Sequence, residues 1–173
     1  HYAPTPNGWK VAIMLEECGL AYETRLMRLS QGDQFAPDFL EIAPGARMPA
    51  ILDRAPPEGW GPEPVPVFES AAILFYLAEK TGRFAPPESD RRARKALSEW
   101  LFWQVGTLGP MGGQLSHFVN YAPEGDRAYG RARYAGEYER ALAVLDRRLE
   151  RTGYVLDAYS IADMAAFPWA FIA

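Results

Sequence analysis

The sequence predicts a small α/β domain with a mixed sheet, followed by a second domain that is entirely helical. The first half alternates between short apolar runs and helical periodicity, whereas the long segments of the second half all have helical periodicity. Between the halves, residues 83–90 (RFAPPESD) are rich in proline and polar residues, which is typical of a linker. We therefore expect one domain over residues 1–82 and another over residues 91–173.

The elements expected in the first domain begin with a strand that ends at residues 1–3. Apolar residues then recur at helical spacing up to Cys18, and Gly19 is a natural C-terminal stop for that helix. The alternation in Tyr22–Leu29 predicts a second strand. Residues 36–44 (APDFLEIAP) predict a short helix at most.

Two short apolar runs and a helix complete this domain. Met48–Asp53 and Val65–Glu69 predict two strands that are joined by a loop. Residues 69–82 predict a helix, because Ser70 stands at its start and Gly82 at its end. The resulting order of strand, helix, strand, helix, strand, strand and helix is what predicts the mixed sheet.

The second domain is expected to consist of helical segments over residues 91–111, 126–153 and 159–173. Ser160 and Asp163 have the spacing of a capping box ahead of the last segment. The chain begins without a methionine and stops inside that apolar segment. We therefore expect that residues are missing at both ends.

Composition argues against several classes of function. The net charge of -4 argues against nucleic acid as the partner, and no apolar run approaches the ~20 residues that span a bilayer. The single cysteine, Cys18, excludes an internal disulfide and favours a reducing, cytoplasmic compartment. Cys18 shares an apolar stripe with Val11 and Met14, so we expect a core thiol and not a nucleophile. Two histidines and one cysteine are too few for a zinc site, and no metal is expected.

Three short stretches combine polar groups with unusual backbone positions, and each also has an ordinary explanation. Thr5 and Asn7 stand in a turn ahead of the first helix, where they either form the turn or bind a ligand. Glu69 and Ser70 stand at a helix start, where N–H groups either are capped or attract an anion. Pro49 either begins a strand or follows a cis bond, and cis is the minority state. Taken singly, these stretches favour the ordinary explanation.

The order and spacing of the stretches are more specific than any one of them. Three stretches carry this pattern: MPAI, FESAAILFYLAEKTG and YSIADMAAFPW. With them the chain resembles the cytosolic glutathione transferases, which have a thioredoxin-like α/β domain followed by an all-α domain. More narrowly, APTPNGWKVAIMLEE and EWLFWQVGTLGPMGGQ are similar to the bacterial nu class, a branch of glutathione-dependent disulfide-bond oxidoreductases that is related to the yeast nitrogen regulator.

The resemblance implies a role for the polar turn and for the proline. Thr5 and Asn7 would lie beside the sulfur of bound glutathione and stabilise its thiolate. Backbone groups of Met48, next to a cis Pro49, would pair with the cysteinyl unit of the tripeptide. Glutathione, reduced or oxidised, is the cofactor that the resemblance implies.

The resemblance also implies residues for the two ends of the tripeptide. Ser70 and the start of its helix would bind the γ-glutamyl carboxylate, and Glu69 would bind the γ-glutamyl ammonium group. Gln34 and Arg47 would serve the glycyl carboxylate. Arg133 is the candidate for contact with a second glutathione unit, across a dimer.

The expected activity is reduction of a small-molecule disulfide by the thiolate of bound glutathione. Two alternatives stay open: conjugation of glutathione to small electrophiles, and a non-enzymatic interaction module with the same fold. The resemblance further implies a cytoplasmic homodimer.

Overall fold

The computed structural model describes residue 1 and residues 4–172. Within them the chain divides into two units, His1–Ala85 and Pro86–Ala173. The strand that we expected to end at residues 1–3 falls on Tyr2 and Ala3, which lie outside the described residues. Among the helices described, none is long and apolar enough to cross a bilayer.

The first helix, α1 (Pro6–Cys18), is defined at both ends by its sequence. Thr5 is the N-cap: its Oγ1 accepts a hydrogen bond from the Gly8 N–H at 3.2 Å, which satisfies one of the free donors of the first turn. Gly19 ends the helix with a φ of 66°, a left-handed conformation that glycine adopts readily. The predicted helix and its glycine stop are confirmed.

The sheet of the described residues has two antiparallel strands, β1 (Ala50–Asp53) and β2 (Val65–Phe68). Ala50 lies opposite Phe68 in the register of this pair. Both strands were expected from their apolar runs, and both predictions are confirmed. The wider mixed sheet that we expected is not found among the described residues.

Two helices pack with this sheet, α2 (Pro37–Ile42) and α3 (Ser70–Thr81), and both are as predicted. Asp53, at the end of β1, anchors α3 because its Oδ2 accepts from the Tyr76 hydroxyl at 2.7 Å and from the Lys80 ammonium at 2.5 Å. Burial raises the pKa of Asp53, but the hydrogen bonds, led by that from Lys80, outweigh burial and hold the pKa below its usual value. The carboxylate therefore stays charged and joins the sheet to the helix.

The prediction of a strand over Tyr22–Leu29 is wrong. Within this segment only Leu26 makes a β-bridge, and the residues before it are exposed. The chain instead continues into two 3₁₀-helices, Leu29–Gln31 and Asp33–Phe35. The Arg28 backbone N–H and its side-chain Nε both donate to Asp33 Oδ2 at 2.9 Å, which favours a turn over an extended chain. Alternation alone does not make a strand, because a strand also needs a ladder of hydrogen bonds to a neighbour, and within this segment the ladder is limited to one bridge.

The second unit is helical over most of its described residues, as predicted. Its α-helices are α4 (Arg91–Trp103), α5 (Gly109–Asn120), α6 (Glu124–Thr152) and α7 (Ile161–Phe171). The capping box expected ahead of α7 is confirmed. Ser160 Oγ accepts from the Ala162 N–H at 3.2 Å, and Asp163 Oδ2 accepts from the Ser160 N–H at 2.9 Å.

A wider turn interrupts the single long helix that the sequence predicts over residues 91–111. Gln104–Leu108 is π-helical, and the Gly109 N–H donates to the Gln104 carbonyl, five residues earlier. Pro110 has no N–H to donate to the Gly106 carbonyl, and its ring would crowd that carbonyl in a regular α-helix. The π turn relieves this conflict, so α4 and α5 follow one another without a break.

Helices α5 and α6 approach each other closely at two glycines. A Cβ added to Gly130 of α6 would lie 2.2 Å from Phe118 Cδ1 of α5, and one added to Gly112 would lie 2.8 Å from Tyr138 Cε2. The Tyr138 hydroxyl in turn donates to the Trp169 carbonyl of α7. The packing of these helices therefore depends on the absence of side chains at the two glycines.

We predict that Gly130→Ala lowers the free energy of unfolding by about 1–3 kcal/mol, because the Phe118 ring must leave its place. The matched control is Gly136→Ala in the same helix, where a Cβ meets nothing within 4 Å. The control is expected to stabilise the protein by about 0.5–1 kcal/mol through helix propensity. Urea unfolding of both variants measures the difference, and equal effects of the two substitutions would contradict the packing described.

Candidate functional site

The start of α3 lies against the first turns of α1. The Lys10 ammonium, five residues after the N-cap of α1, donates to Ser70 Oγ at 3.2 Å. Both side chains are buried, with 1% of Lys10 and 6% of Ser70 exposed. Ser70 is the first residue of α3, so the contact joins the N-terminal ends of two helices. N–H groups at helix starts attract anions, and here two such starts are neighbours.

The polar turn that opens α1 supplies hydrogen-bonding groups to this region. Thr5 and Asn7 are both half-buried. Thr5 Oγ1 already accepts from the Gly8 N–H, so Thr5 does cap α1, as the ordinary explanation requires. A hydroxyl also carries one proton of its own, and Thr5 can therefore cap the helix and donate to a ligand at the same time.

Glu69 precedes α3 in an unusual backbone conformation. Its φ is 68° and its ψ is 119°, and its side chain makes no capping hydrogen bond to α3. A non-glycine residue in this region costs about 1–3 kcal/mol, and such residues cluster at ligand sites. The Glu69 side chain is exposed, whereas Ser70 is buried beside it. Ordinary capping therefore does not explain this pair.

The remaining first-unit candidates are Arg47, Met48 and Pro49, which precede β1, and Gln34. The Met48–Pro49 bond is cis, as the resemblance implied. Pro49 is buried, Met48 is half-buried and Arg47 is exposed. Gln34 lies in the 3₁₀-helix, and its Oε1 is buried without a hydrogen-bond partner among the described residues.

Two candidates remain, Arg133 and Cys18. Arg133 lies on α6 of the second unit and is exposed, and its contact with a ligand stays a prediction. Cys18 ends α1, a helix of 13 residues and therefore about 20 Å long, whereas Thr5 caps the other end. The Cys18 sulfur lies 3.9 Å from Met14 Sδ and 3.6 Å from Thr81 Oγ1. Cys18 is half-buried, so it contacts these two side chains at the edge of the core and is not the fully buried core thiol that the sequence predicts.

Lys10, which the sequence did not predict as a site residue, has a strongly shifted pKa. Burial lowers the pKa of Lys10 to about 7, although the negative charge of Glu69 opposes this shift. Lysine on a helix is typical of an exposed face. The available signal was its spacing, because Lys10 stands four residues before Met14 and so shares its core-facing side.

Two further features of the described residues limit the chemistry. A cavity of about 420 Å³ opens between α1, residues 20–25 and β1, and of the candidate residues only Pro49 lines it. It is therefore not the candidate site. The described part of the chain contains no group of three or more histidine, cysteine, aspartate or glutamate side chains that could hold a metal ion.

Comparison with known proteins shows which family the chain is similar to. Residues 5–80 match the family model described as glutathione S-transferase, N-terminal domain. Over 170 residues the chain is 48% identical to the disulfide-bond oxidoreductase YfcG of Escherichia coli strain K12. The aligned region covers 98% of this chain and 77% of YfcG.

Solved structures give the same result for the fold. A glutathione transferase from Burkholderia graminis, with two glutathione molecules bound per subunit, matches with a TM-score of 0.89 and 45% identity over 97% of this chain and 69% of that one. A glutathione transferase from Pseudomonas putida, with one glutathione disulfide bound per subunit, matches with a TM-score of 0.87 and 44% identity over 97% and 71% of the two chains.

The lowered pKa of Lys10 predicts how stability depends on pH. Below about pH 7 the folded and unfolded states both carry the Lys10 proton, and the cost of burying that charge is fully present; above the ordinary value of 10.5 neither state carries it. Stability should therefore rise with pH between these values, by roughly 1.4 kcal/mol per pH unit at most. Lys10→Met should remove this rise.

The measurement is the free energy of urea unfolding at several pH values for the wild type and the variant. Lys95→Met, which removes an exposed lysine of α4, is the matched control and should keep the wild-type slope. Parallel curves for the wild type and Lys10→Met would show that Lys10 is not a buried titrating group.

Proposed function

The chain belongs to the glutathione S-transferase family, and we propose that it reduces disulfide bonds with the thiolate of bound glutathione as its nucleophile. The observation that carries this proposal is the position of the groups along α1. Polar donors cluster at its start, whereas the single cysteine of the chain is packed at its far end. The reactive sulfur must then come with the ligand. The relative named as a disulfide-bond oxidoreductase supports the same choice of reaction.

The first unit offers a partner for each part of the tripeptide. The Ser70 hydroxyl and the N–H groups of α3 bind the γ-glutamyl carboxylate, and Glu69 binds the γ-glutamyl ammonium group. Backbone groups of Met48 pair with the cysteinyl unit. Gln34 and Arg47 serve the glycyl carboxylate, for which the guanidinium of Arg47 is geometrically suited.

Thr5 and Asn7 act on the sulfur. Their hydroxyl and amide donate hydrogen bonds that favour the thiolate over the thiol. A hydrogen bond to a charged group contributes roughly 1.5–3 kcal/mol, which corresponds to a fall of about one to two units from the ordinary thiol pKa of ~8.5. The thiolate is then a major species near neutral pH.

The reaction consumes two glutathione molecules for each disulfide. The bound thiolate attacks one sulfur of the substrate, the S–S bond breaks, and the first product thiolate leaves and is protonated. A second glutathione thiolate attacks the glutathione sulfur of the mixed disulfide. This step releases the second product thiol and oxidised glutathione, so the two electrons that reduce the substrate come from the two glutathione thiols.

We also propose a cytoplasmic homodimer of the bacterial nu class, in which Arg133 contacts a second glutathione unit. The single cysteine supports a reducing compartment. The Burkholderia relative, which binds two glutathione molecules per subunit, supports a place for the second one. Domain boundaries at residues 82 and 91 belong to the same proposal.

Two substrates distinguish disulfide reduction from conjugation. We predict that the purified protein turns over 2-hydroxyethyl disulfide with glutathione and acts weakly on 1-chloro-2,4-dinitrobenzene. Cys18→Ser should keep the disulfide activity, because the packed thiol takes no part. Strong conjugation without disulfide turnover would select the transferase alternative. Loss of turnover in a Cys18→Ser variant that still folds and binds glutathione would rule out the ligand as the source of the nucleophile.

Removing the sulfur's hydrogen-bond donors should change its acidity. We predict that Thr5→Ala and Asn7→Ala each raise the thiol pKa of bound glutathione by about one unit, because each loses one donor to the charged form. The pKa is measured from the ultraviolet absorbance of the thiolate against pH.

Thr5→Ala also removes a helix cap, so a matched control is needed. Asp90→Ala removes the cap of α4, where Asp90 Oδ1 accepts from the Ala93 N–H at 3.0 Å. Its stability loss should be about 1 kcal/mol, as for other caps, with no change in the thiol pKa. An unchanged pKa in both Thr5→Ala and Asn7→Ala would remove these residues from the proposed roles.

A further inference from the structure

We propose that Lys10 is a positioning residue for the γ-glutamyl carboxylate of glutathione and that it acts through Ser70. The inference rests on the proposed function, since it assumes that this carboxylate binds at the start of α3. Its geometric basis is the hydrogen bond from the Lys10 ammonium to Ser70 Oγ at 3.2 Å, between two buried side chains on different helices.

In this hydrogen bond Lys10 Nζ is the donor and Ser70 Oγ the acceptor. An ammonium group has three donors and no acceptor, so Ser70 Oγ accepts whenever Lys10 carries its proton. The single hydroxyl proton of Ser70 then has to point to another acceptor. Because Ser70 is the first residue of α3, that proton and the N–H groups of the first helical turn are available to the same anion. Lys10 thus keeps Ser70 in the donor orientation that a carboxylate requires.

Charge supports the same role. Burying an ammonium group is unfavourable, and burial is the main reason for the lowered pKa of Lys10. Methionine would fill similar space at this core-facing position without that penalty. A ligand carboxylate held on Ser70 would lie one side chain away from the Lys10 charge and would favour its protonated form. Lys10 therefore lowers the stability of the free protein and strengthens binding of an anion.

The test compares glutathione with 4-aminobutyryl-cysteinyl-glycine, which lacks only the γ-glutamyl carboxylate. Calorimetry gives the affinity of each ligand for the wild type, Lys10→Met, Ser70→Ala and the double variant. Lys10→Met should weaken glutathione binding about tenfold and leave the affinity for the analogue unchanged. Because Lys10 acts through Ser70, the double variant should bind glutathione little more weakly than Ser70→Ala alone.

Each other result overturns the inference. Equal weakening of both ligands by Lys10→Met indicates a merely structural role, and multiplicative losses in the double variant show that Lys10 does not act through Ser70. Lys10→Arg keeps the cation and its donors, so this variant should prefer glutathione over the analogue as the wild type does. If Lys10→Met does not fold, Lys10→Arg provides the test: a folded Lys10→Arg variant without that preference would contradict the inference. Failure of the wild type to bind glutathione would instead sink the proposed function itself. Lys95→Met is the matched control and should change neither affinity.

Discussion

The hydrogen bond between the Lys10 ammonium and Ser70 Oγ is the interaction on which the candidate site depends. It holds the first turns of α1 against the start of α3, and so brings the N–H groups of two helices into one region. The same region contains a buried cation and a left-handed Glu69, both of which are unfavourable in the free protein. In the complex that we propose, a bound anion offsets the cost of the buried cation and Glu69 binds the ligand's ammonium group. Unfavourable features are expected at sites that bind ligands.

The chemistry that this region supports needs no reactive side chain. Cys18 is packed against Met14 and Thr81 at the far end of α1, so the protein contributes donors and helix starts while the tripeptide contributes the sulfur. Such a site places its demands on geometry, because a thiolate is stabilised only by donors that are already in position. The hydrogen bond from the Gly8 N–H to Thr5 Oγ1 holds in position the side chain that we propose to face the sulfur.

Local signals in the sequence predicted most of the fold, whereas features that depend on distant residues were missed. Gly19 and Ser160 mark helix ends because capping involves only neighbours in the chain. The strand predicted over Tyr22–Leu29 was wrong because alternation does not reveal the hydrogen bonds from Arg28 to Asp33, which favour a turn. In the site, residues alone favoured the ordinary explanations, and the roles of the candidates came from the family resemblance. Lys10 was missed because a lysine is normally exposed, and only its spacing from Met14 indicated burial.

A crystal structure of the protein with oxidised glutathione tests the central claim most directly. We predict one glutathione sulfur within hydrogen-bonding distance of Thr5 Oγ1 or the Asn7 amide, with the γ-glutamyl carboxylate on Ser70 and the first N–H groups of α3. Glutathione bound elsewhere, or a sulfur that faces only apolar side chains away from the start of α1, would contradict it.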